Sequence, residues 1–252
     1  MRTRLQGVSL LAVEKETPMQ RQYREFREKL APGTVLLFRL GDFYEVFGED
    51  AVVASKVLGL TLTKRHETPM AGLPHHAAPA YVNRLLAAGW KVAICDQLEA
   101  PVAGKLVRRG LTRILTPGTA LEDSQLDSRR GNYLAAISWD KQGWHASWLD
   151  VSTADFRLAT DASPARLLPL LHSVSPREII LPEGLEPSAE HREALEVFLQ
   201  ARAVSRLPGW NFDGAAGARL VAQTLSVHGL AGFGLTEEHP ALGVAGAVLG
   251  YV

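Results

Sequence analysis

From Thr17 onward, the run "PMQRQYREFREKL" repeats apolar residues at Met19, Tyr23, Phe26 and Leu30, a spacing that lines one face of a helix. Thr17 suits the N-cap and Pro18 the first helical position, and "APG" ends the run. "TVLLFRL" is an unbroken apolar stretch of strand length. "EDAVVASKVLGL" predicts a helix whose acidic residues sit in the first turn, where they complement the helix dipole. "LTLTKR" predicts a second strand, "ETPMAGLPHH" a loop or short strand, "APAYVNRLLAAG" a helix stopped at Gly89, and "WKVAICDQLE" a third strand. Strands and helices alternate, which predicts an α/β domain.

The following segment, residues 101–132, begins basic, continues as an expected strand pair and ends polar and acidic, with a linker over residues 121–130. A second domain opens with three strand-like runs, "NYLAAISWD", "GWHASWLDVST" and "ADFRLAT", separated by short turns. Then "SPARLLPLLHSV", "REIILPEG", "AEHREALEVFLQ" and "AVSRLPG" read as helix, strand, helix, strand. An antiparallel meander followed by alternating helices and strands is the order of an RNase H-like sheet. The expected architecture is therefore a mixed-sheet N-terminal α/β domain followed by an RNase H-like domain over residues 131–252, with residues 1–16 as a loose arm.

One stretch resists this assignment. Read as a single alternating strand, "RLGDFYEVFGEDA" and the residues before it put Leu36, Phe38, Leu40, Tyr44 and Val46 on one face, and Arg39, Phe43, Glu45 and Phe47 on the other. The second face mixes large aromatics with charges, which suits neither a core nor an ordinary solvated surface.

Charge changes the picture more than composition does. The net charge is zero, but residues 1–130 hold 19 Lys+Arg against 14 Asp+Glu and residues 131–252 hold 8 against 13, so an anionic partner is expected for the first half only. No apolar run approaches the roughly 20 residues that cross a bilayer. "VSLLAV" near the start lacks the pattern of a secretory signal. The single cysteine, Cys95, rules out an internal disulfide framework and suits a reducing cytoplasm.

Several chemical motifs fail on inspection. "AGKLVRRG" carries Gly-Lys, but Leu106 stands where a phosphate-binding loop needs Ser or Thr, and Glu99 where it needs Gly. "LGVAGAVLGY" spaces its glycines for close helix contact rather than for a dinucleotide. His75 and His76 are adjacent and have no further ligand at metal spacing. Cys95 reads as a small buried hydrophobe. A metal-dependent nuclease would use Asp140, Asp150 and Asp155, but these fall at turns and strand ends, where aspartates serve structure. "KLVRRGLTR", with Lys105, Arg108, Arg109 and Arg113, can neutralise phosphates by counterion release or simply be the solvated face of a hairpin.

Taken together, "TPMQRQYREFREKLAPGTVLLFRLGDFYEVFGEDA", "TPMAGLPHHA", "LAAGWKVAICDQLE" and "VRRGLTRILTPGT" resemble, in order over residues 17–119, the N-terminal part of the MutS family of bacterial DNA mismatch recognition proteins. Residues 130–252 resemble that family's connector domain more loosely, and residues 1–16 lie outside the resemblance. The resemblance implies a mismatch-recognition domain over residues 17–120. In it Phe43 enters the minor groove beside a mispaired base and Glu45 hydrogen-bonds that base. Lys64, Arg65, Met70 and Arg108 are carried over as further DNA-facing residues. It implies double-stranded DNA with mismatches or small loops as ligand and a MutL-type partner. It also implies a dimer in the full-length family, with these domains alone monomeric, cytoplasmic and free of membrane. ATP and magnesium belong to regions of the family outside this chain, so no cofactor and no enzymatic activity are expected. The alternatives are the nuclease above and a pure protein-interaction module.

Overall fold

A computed structural model describes residues 17–65, 67–100, 105–119, 131–200 and 202–252; the arm expected over 1–16 and the linker expected over 121–130 lie outside these residues. The first unit comprises α1 (Pro18–Arg27), β1 (Thr34–Leu40), β2 (Phe43–Phe47), α2 (Gly48–Leu58), β3 (Thr63–Arg65), β4 (Thr68–Pro74), α3 (Ala78–Ala87), β5 (Lys91–Gln97) and β6 (Arg109–Leu115). Its sheet runs β3-β4-β2-β1-β5-β6, with β1 and β5 parallel and the other pairs antiparallel. The segment expected as a short loop or strand is the inner strand β4. The strand pair expected in the basic segment is a single strand among the described residues, β6, which pairs with β5 instead.

α1 starts where the sequence predicts. The Thr17 hydroxyl accepts from the Gln20 amide at 3.3 Å, and the Gln20 side chain returns the favour to the Thr17 amide at 2.8 Å, a reciprocal cap that satisfies two orphan donors. α2 and α3 cover one face of the sheet, over Val35, Leu37, Tyr44, Val46, Leu73 and Ile94. α1 covers the other, its Met19, Tyr23 and Phe26, with Leu30 in the turn just beyond it, lying on Leu36, Phe38, Ala93 and Cys95. Tyr23 meets the rings of Phe38 and Phe47 edge-on at 5.5 and 4.9 Å.

The face assignment made from sequence for residues 36–47 is overturned. The stretch is a hairpin, with Leu40 paired to Phe43, Arg39 to Tyr44 and Phe38 to Glu45. A two-residue turn reverses the strand and resets the alternation. Leu36 and Phe38 therefore share a face with Phe43, Glu45 and Phe47, while Tyr44 and Val46 join Val35 and Leu37 on the other.

The second unit comprises β7 (Tyr133–Asp140), β8 (Gly143–Asp150), β9 (Asp155–Asp161), α4 (Pro164–Val174), β10 (Glu178–Pro182), α5 (Ala189–Leu199), β11 (Ala203–Leu207), α6 (Gly214–Thr224) and α7 (Leu242–Tyr251). Its sheet order, β11-β10-β7-β8-β9, combines an antiparallel meander with two parallel strands, the RNase H-like order expected. α4 and α5 pack on one face and α7 on the other. Among the described residues no helix is long and apolar enough to cross a membrane.

The glycines of "LGVAGAVLGY" do serve helix contact. A Cβ on Gly217 of α6 would lie 2.0 Å from the Leu242 carbonyl oxygen of α7, and one on Gly246 would lie 2.6 Å from the Gly217 Cα. Backbone on both sides cannot yield as a side chain can. Gly217→Val is therefore expected to destabilise the second unit by at least about 1–3 kcal/mol, read as a lowered urea midpoint. An unchanged midpoint would show that the two helices do not depend on this approach.

The two units meet through a buried polar network. Lys91 of β5 donates to the Ser205 hydroxyl of β11 at 2.5 Å and lies 3.9 Å from the Glu178 carboxylate of β10. Tyr251 donates to Glu178 at 2.8 Å, and the Gly118 amide donates to its other oxygen at 3.1 Å. Burial holds the Lys91 ammonium below its ordinary pKa, and the Glu178 carboxylate opposes that shift.

Candidate nucleic-acid interface

Gly41 and Asp42 form the turn of the β1–β2 hairpin. Gly41 has φ +61°, left-handed backbone that glycine adopts without strain. The tip is tied down on both sides. The His75 amide at the end of β4 donates to the Asp42 carbonyl at 2.8 Å, and the Arg39 guanidinium donates to the Gly41 carbonyl and lies 5.6 Å over the Tyr44 ring. Phe43, the first residue after this braced turn, is 50% exposed. Its neighbours on the same face, Phe38 and Phe47, lie under α1 and are 0% and 9% exposed. Phe43 is thus where the buried stripe runs out from under the helix, a large apolar side chain on a held backbone with nothing covering half of it.

Tyr44 anchors the hairpin from the opposite face. Its hydroxyl donates to Asp96 of β5 at 2.6 Å, and Thr112 donates to the other oxygen of that carboxylate at 3.0 Å. Burial and the adjacent Asp96 push the Tyr44 phenol up to about 12, so it remains a donor throughout the physiological range.

Glu45 stands beside Phe43 on the exposed face. Its cross-strand partner on β4 is Gly72, which is exposed and adds no side chain, leaving the carboxylate open on that flank. Arg65, from β3 at the sheet edge, reaches across and pairs with it at 2.5 Å. Strand register accounts for this meeting. Met70 pairs with both Phe47 and Thr63, so Thr63, Arg65 and Met70 project to the same side as Phe43, Glu45 and Phe47.

The same register puts Lys64 on the opposite side of β3, where it pairs with the exposed Glu67 at 3.6 Å. Arg108 lies beyond the far edge of the sheet. Its amide donates to Glu99 at 2.8 Å, and its side chain is exposed, three strand spacings from β2, or about 14 Å. Arg108 stands at the hairpin-tip end, because Gln97 of β5, two residues past the Phe38–Cys95 pair, faces Arg109, whereas Lys64 lies opposite Pro69, away from the tip. Arg109 itself is buried. It donates to the Arg39 carbonyl at 2.7 Å and to Gln22 at 2.9 Å and lies 4.9 Å over the Phe38 ring, so it is a brace under the tip. Four of the six residues singled out from sequence, Phe43, Glu45, Arg65 and Met70, therefore share one face; Lys64 and Arg108 do not join them. The supports missed from sequence are Arg39, Asp96 and Arg109. The hairpin itself had a signal, Gly41–Asp42 between two apolar runs.

The three aspartates of the nuclease alternative do not converge. Asp140 and Asp150 lie at opposite ends of the β7–β8 pair, about 20 Å apart along the strand. Each is also engaged locally. Asp140 accepts from the Gln142 amide at 2.7 Å and contacts His145 at 3.0 Å, Asp150 accepts from the Ser152 amide and hydroxyl at 2.9 and 2.6 Å, and Asp155 holds Arg157 at 3.0 Å. Among the described residues no three His, Cys, Asp or Glu side chains gather as a metal site requires.

Comparison with known proteins bears on both units. The family model described as MutS domain I matches residues 17–124, and that described as MutS domain II matches residues 132–252. The DNA mismatch repair protein MutS of Myxococcus xanthus is 40% identical over 252 residues, covering 98% of this chain and 28% of the relative. That of Syntrophobacter fumaroxidans is 43% identical over 249 residues, 95% of this chain and 27% of the relative. That of Chlorobaculum tepidum is 40% identical over 247 residues, 94% of this chain and 28% of the relative. The chain spans little more than a quarter of the length of these relatives.

Proposed function

The chain belongs to the MutS family of DNA mismatch repair proteins, matching that family's domains I and II, and on that premise we propose that it recognises mispaired or unpaired bases in double-stranded DNA. The observation that carries the reading is Phe43. It is half exposed at the tip of a braced hairpin, beside a carboxylate on the same face. An apolar wedge entering the minor groove must unstack a base step, at a cost of a few kcal/mol that falls where pairing is already defective. Selection therefore acts through deformability rather than base identity. Glu45 repels phosphates wherever it approaches a duplex, but it accepts a hydrogen bond from a donor that only a mispaired base exposes. Arg65 and Met70 flank the pair, and Arg108 stands at the same end of the sheet within reach of the backbone.

In this reading the chain performs no chemistry and needs no cofactor of its own. Its aspartates serve turns, and ATP and magnesium act elsewhere in the family. It works in the cytoplasm, and the second unit meets a MutL-type partner. The two units alone are monomeric and bind DNA weakly, since the phosphate contacts that supply most affinity come from the rest of such a protein.

The test is a titration of this chain with duplexes of about 20 base pairs, matched or carrying one mismatch or one unpaired base, near 50 mM salt where phosphate contacts are strongest. Tighter binding to the defective duplexes is expected. Glu45→Ala should narrow the difference from both sides, weakening mismatch binding through the lost hydrogen bond and strengthening matched binding through relieved repulsion. Equal affinity of the unaltered chain for all duplexes would overturn the proposal.

A further inference from the structure

The ion pair between Arg65 and Glu45 places a cation on the one carboxylate of the exposed face that the proposed function requires to be available. The pair is short, 2.5 Å, and only partly shielded, with side chains 42% and 20% exposed. Strand register puts the two side chains on one side of the sheet but does not by itself bring them together. Arg65 and Glu45 lie on strands separated by β4, and Arg65 crosses that strand where Gly72 leaves the Glu45 flank uncovered. An arginine on this edge that served only phosphates would gain by pointing outward into the solvent, as Lys64 does on the neighbouring position with its exposed partner Glu67.

We propose that Arg65 is a specificity-setting residue that masks Glu45 in the free protein and exchanges it for a DNA phosphate when a mispaired base offers Glu45 a hydrogen-bond donor. This rests on the mismatch-recognition reading above. While Arg65 holds Glu45, the carboxylate is partly neutralised and opposes the approach of a duplex less than a free carboxylate would. On a defective duplex the base donor takes over the carboxylate, and the released guanidinium, whose planar fork suits phosphate as well as carboxylate, turns to the backbone. On a matched duplex no donor replaces Arg65, so the pair stays closed. The mask thus permits scanning of matched DNA, and it lowers discrimination below what an unmasked carboxylate would give.

The consequence separates this role from an ordinary phosphate contact. Removing a cation that only touches phosphate weakens binding to all sequences alike and leaves their ratio unchanged. Removing the mask as well leaves Glu45 charged and unpaired, which repels matched duplex, while on the defective duplex the lost phosphate contact is offset by the ion pair that no longer has to be broken. Arg65→Ala is therefore expected to weaken binding to both duplexes yet raise the mismatch-to-matched affinity ratio about two- to fivefold, the range a partly exposed ion pair allows. Arg65→Lys, which keeps the charge, should restore most of the matched-duplex affinity. In a Glu45→Gln background Arg65→Ala should leave the ratio unaltered, because no charge remains to mask.

The measurement is the affinity of this chain and these variants for the matched and single-mismatch duplexes near 50 mM salt, with thermal unfolding of each variant alongside. A ratio unchanged by Arg65→Ala in the Glu45 background, with the unaltered chain still preferring the mismatch, would overturn the mask and leave the parent reading standing. An unaltered chain that shows no preference would overturn the parent reading and this inference with it.

Discussion

Phe43→Ala is expected to abolish the preference for defective duplexes while leaving the fold almost untouched. The two halves of that expectation come from different measurements of one side chain. Phe43 is 50% exposed, so its removal opens no core cavity, whereas truncating a buried phenylalanine costs about 3–5 kcal/mol. Phe38, one strand away on the same face and 0% exposed, provides the contrast, and Phe38→Ala should show that loss. Without an apolar wedge, nothing senses the lower unstacking cost at a mispair, and the affinity ratio should fall to about one. Binding that remains should be the salt-dependent phosphate term, alike for every duplex. The paired experiment is thermal unfolding and the mismatch-to-matched affinity ratio for both variants. A large stability loss for Phe43→Ala with the ratio preserved would return Phe43 to the core and remove the central residue of the interface.

Glu178→Ala should cause the largest stability loss of any single change at the contact between the two units. The carboxylate is fully buried and accepts from Tyr251, Ser205 and the Gly118 amide, with Lys91 3.9 Å away. Removing it strands the Gly118 amide and one of the two hydroxyls of Ser205 and Tyr251, which lie 2.8 Å apart and can satisfy only one of their donors between them, and leaves a buried ammonium without its counter-charge. Breaking one partner of a buried pair in this way costs about 3–5 kcal/mol. Adding Lys91→Met to Glu178→Ala should recover part of the loss, because an uncharged side chain of similar length no longer needs a partner in that site. The readout is the urea unfolding midpoint of both units, followed by their own tryptophans where possible. If Glu178→Ala unfolds at the same midpoint as the unaltered chain, the network contributes no net stability and the two units are held by their apolar surfaces instead.

Local chemistry in the chain was enough to specify most of the elements. Thr17 and Pro18 start α1 because a capping hydroxyl and a residue lacking an amide proton suit the orphan donors of a helix end, an interaction complete within four residues. The apolar run of β10 reads as a strand, and the structure buries it on both faces because helices cover this parallel strand on each side. The close-packing role of Gly243 and Gly246 was likewise legible, since small residues at helical spacing allow backbones to approach. The family resemblance pointed to Phe43 and Glu45 through the motif that contains them.

What tertiary structure alone decided concerns direction and partnership across distance. Alternation along a strand is a local rule, and it failed at Gly41–Asp42 because a reversal resets which side each residue faces; Tyr44 and Val46 thereby parted from Leu36 and Phe38, and Phe38 joined the face of Phe43. Lys64 and Arg65 are neighbours in sequence and look equivalent there, but the β3–β4 register sends them to opposite sides, and only Arg65 meets Glu45, 20 residues earlier in the chain. Glu178 reads as the polar start of a strand until β5 of the other unit brings Lys91 beside it. Propensity and capping act within a few residues and so are written in the sequence directly, whereas register, burial and the choice of a charged partner depend on segments far apart in the chain being brought together.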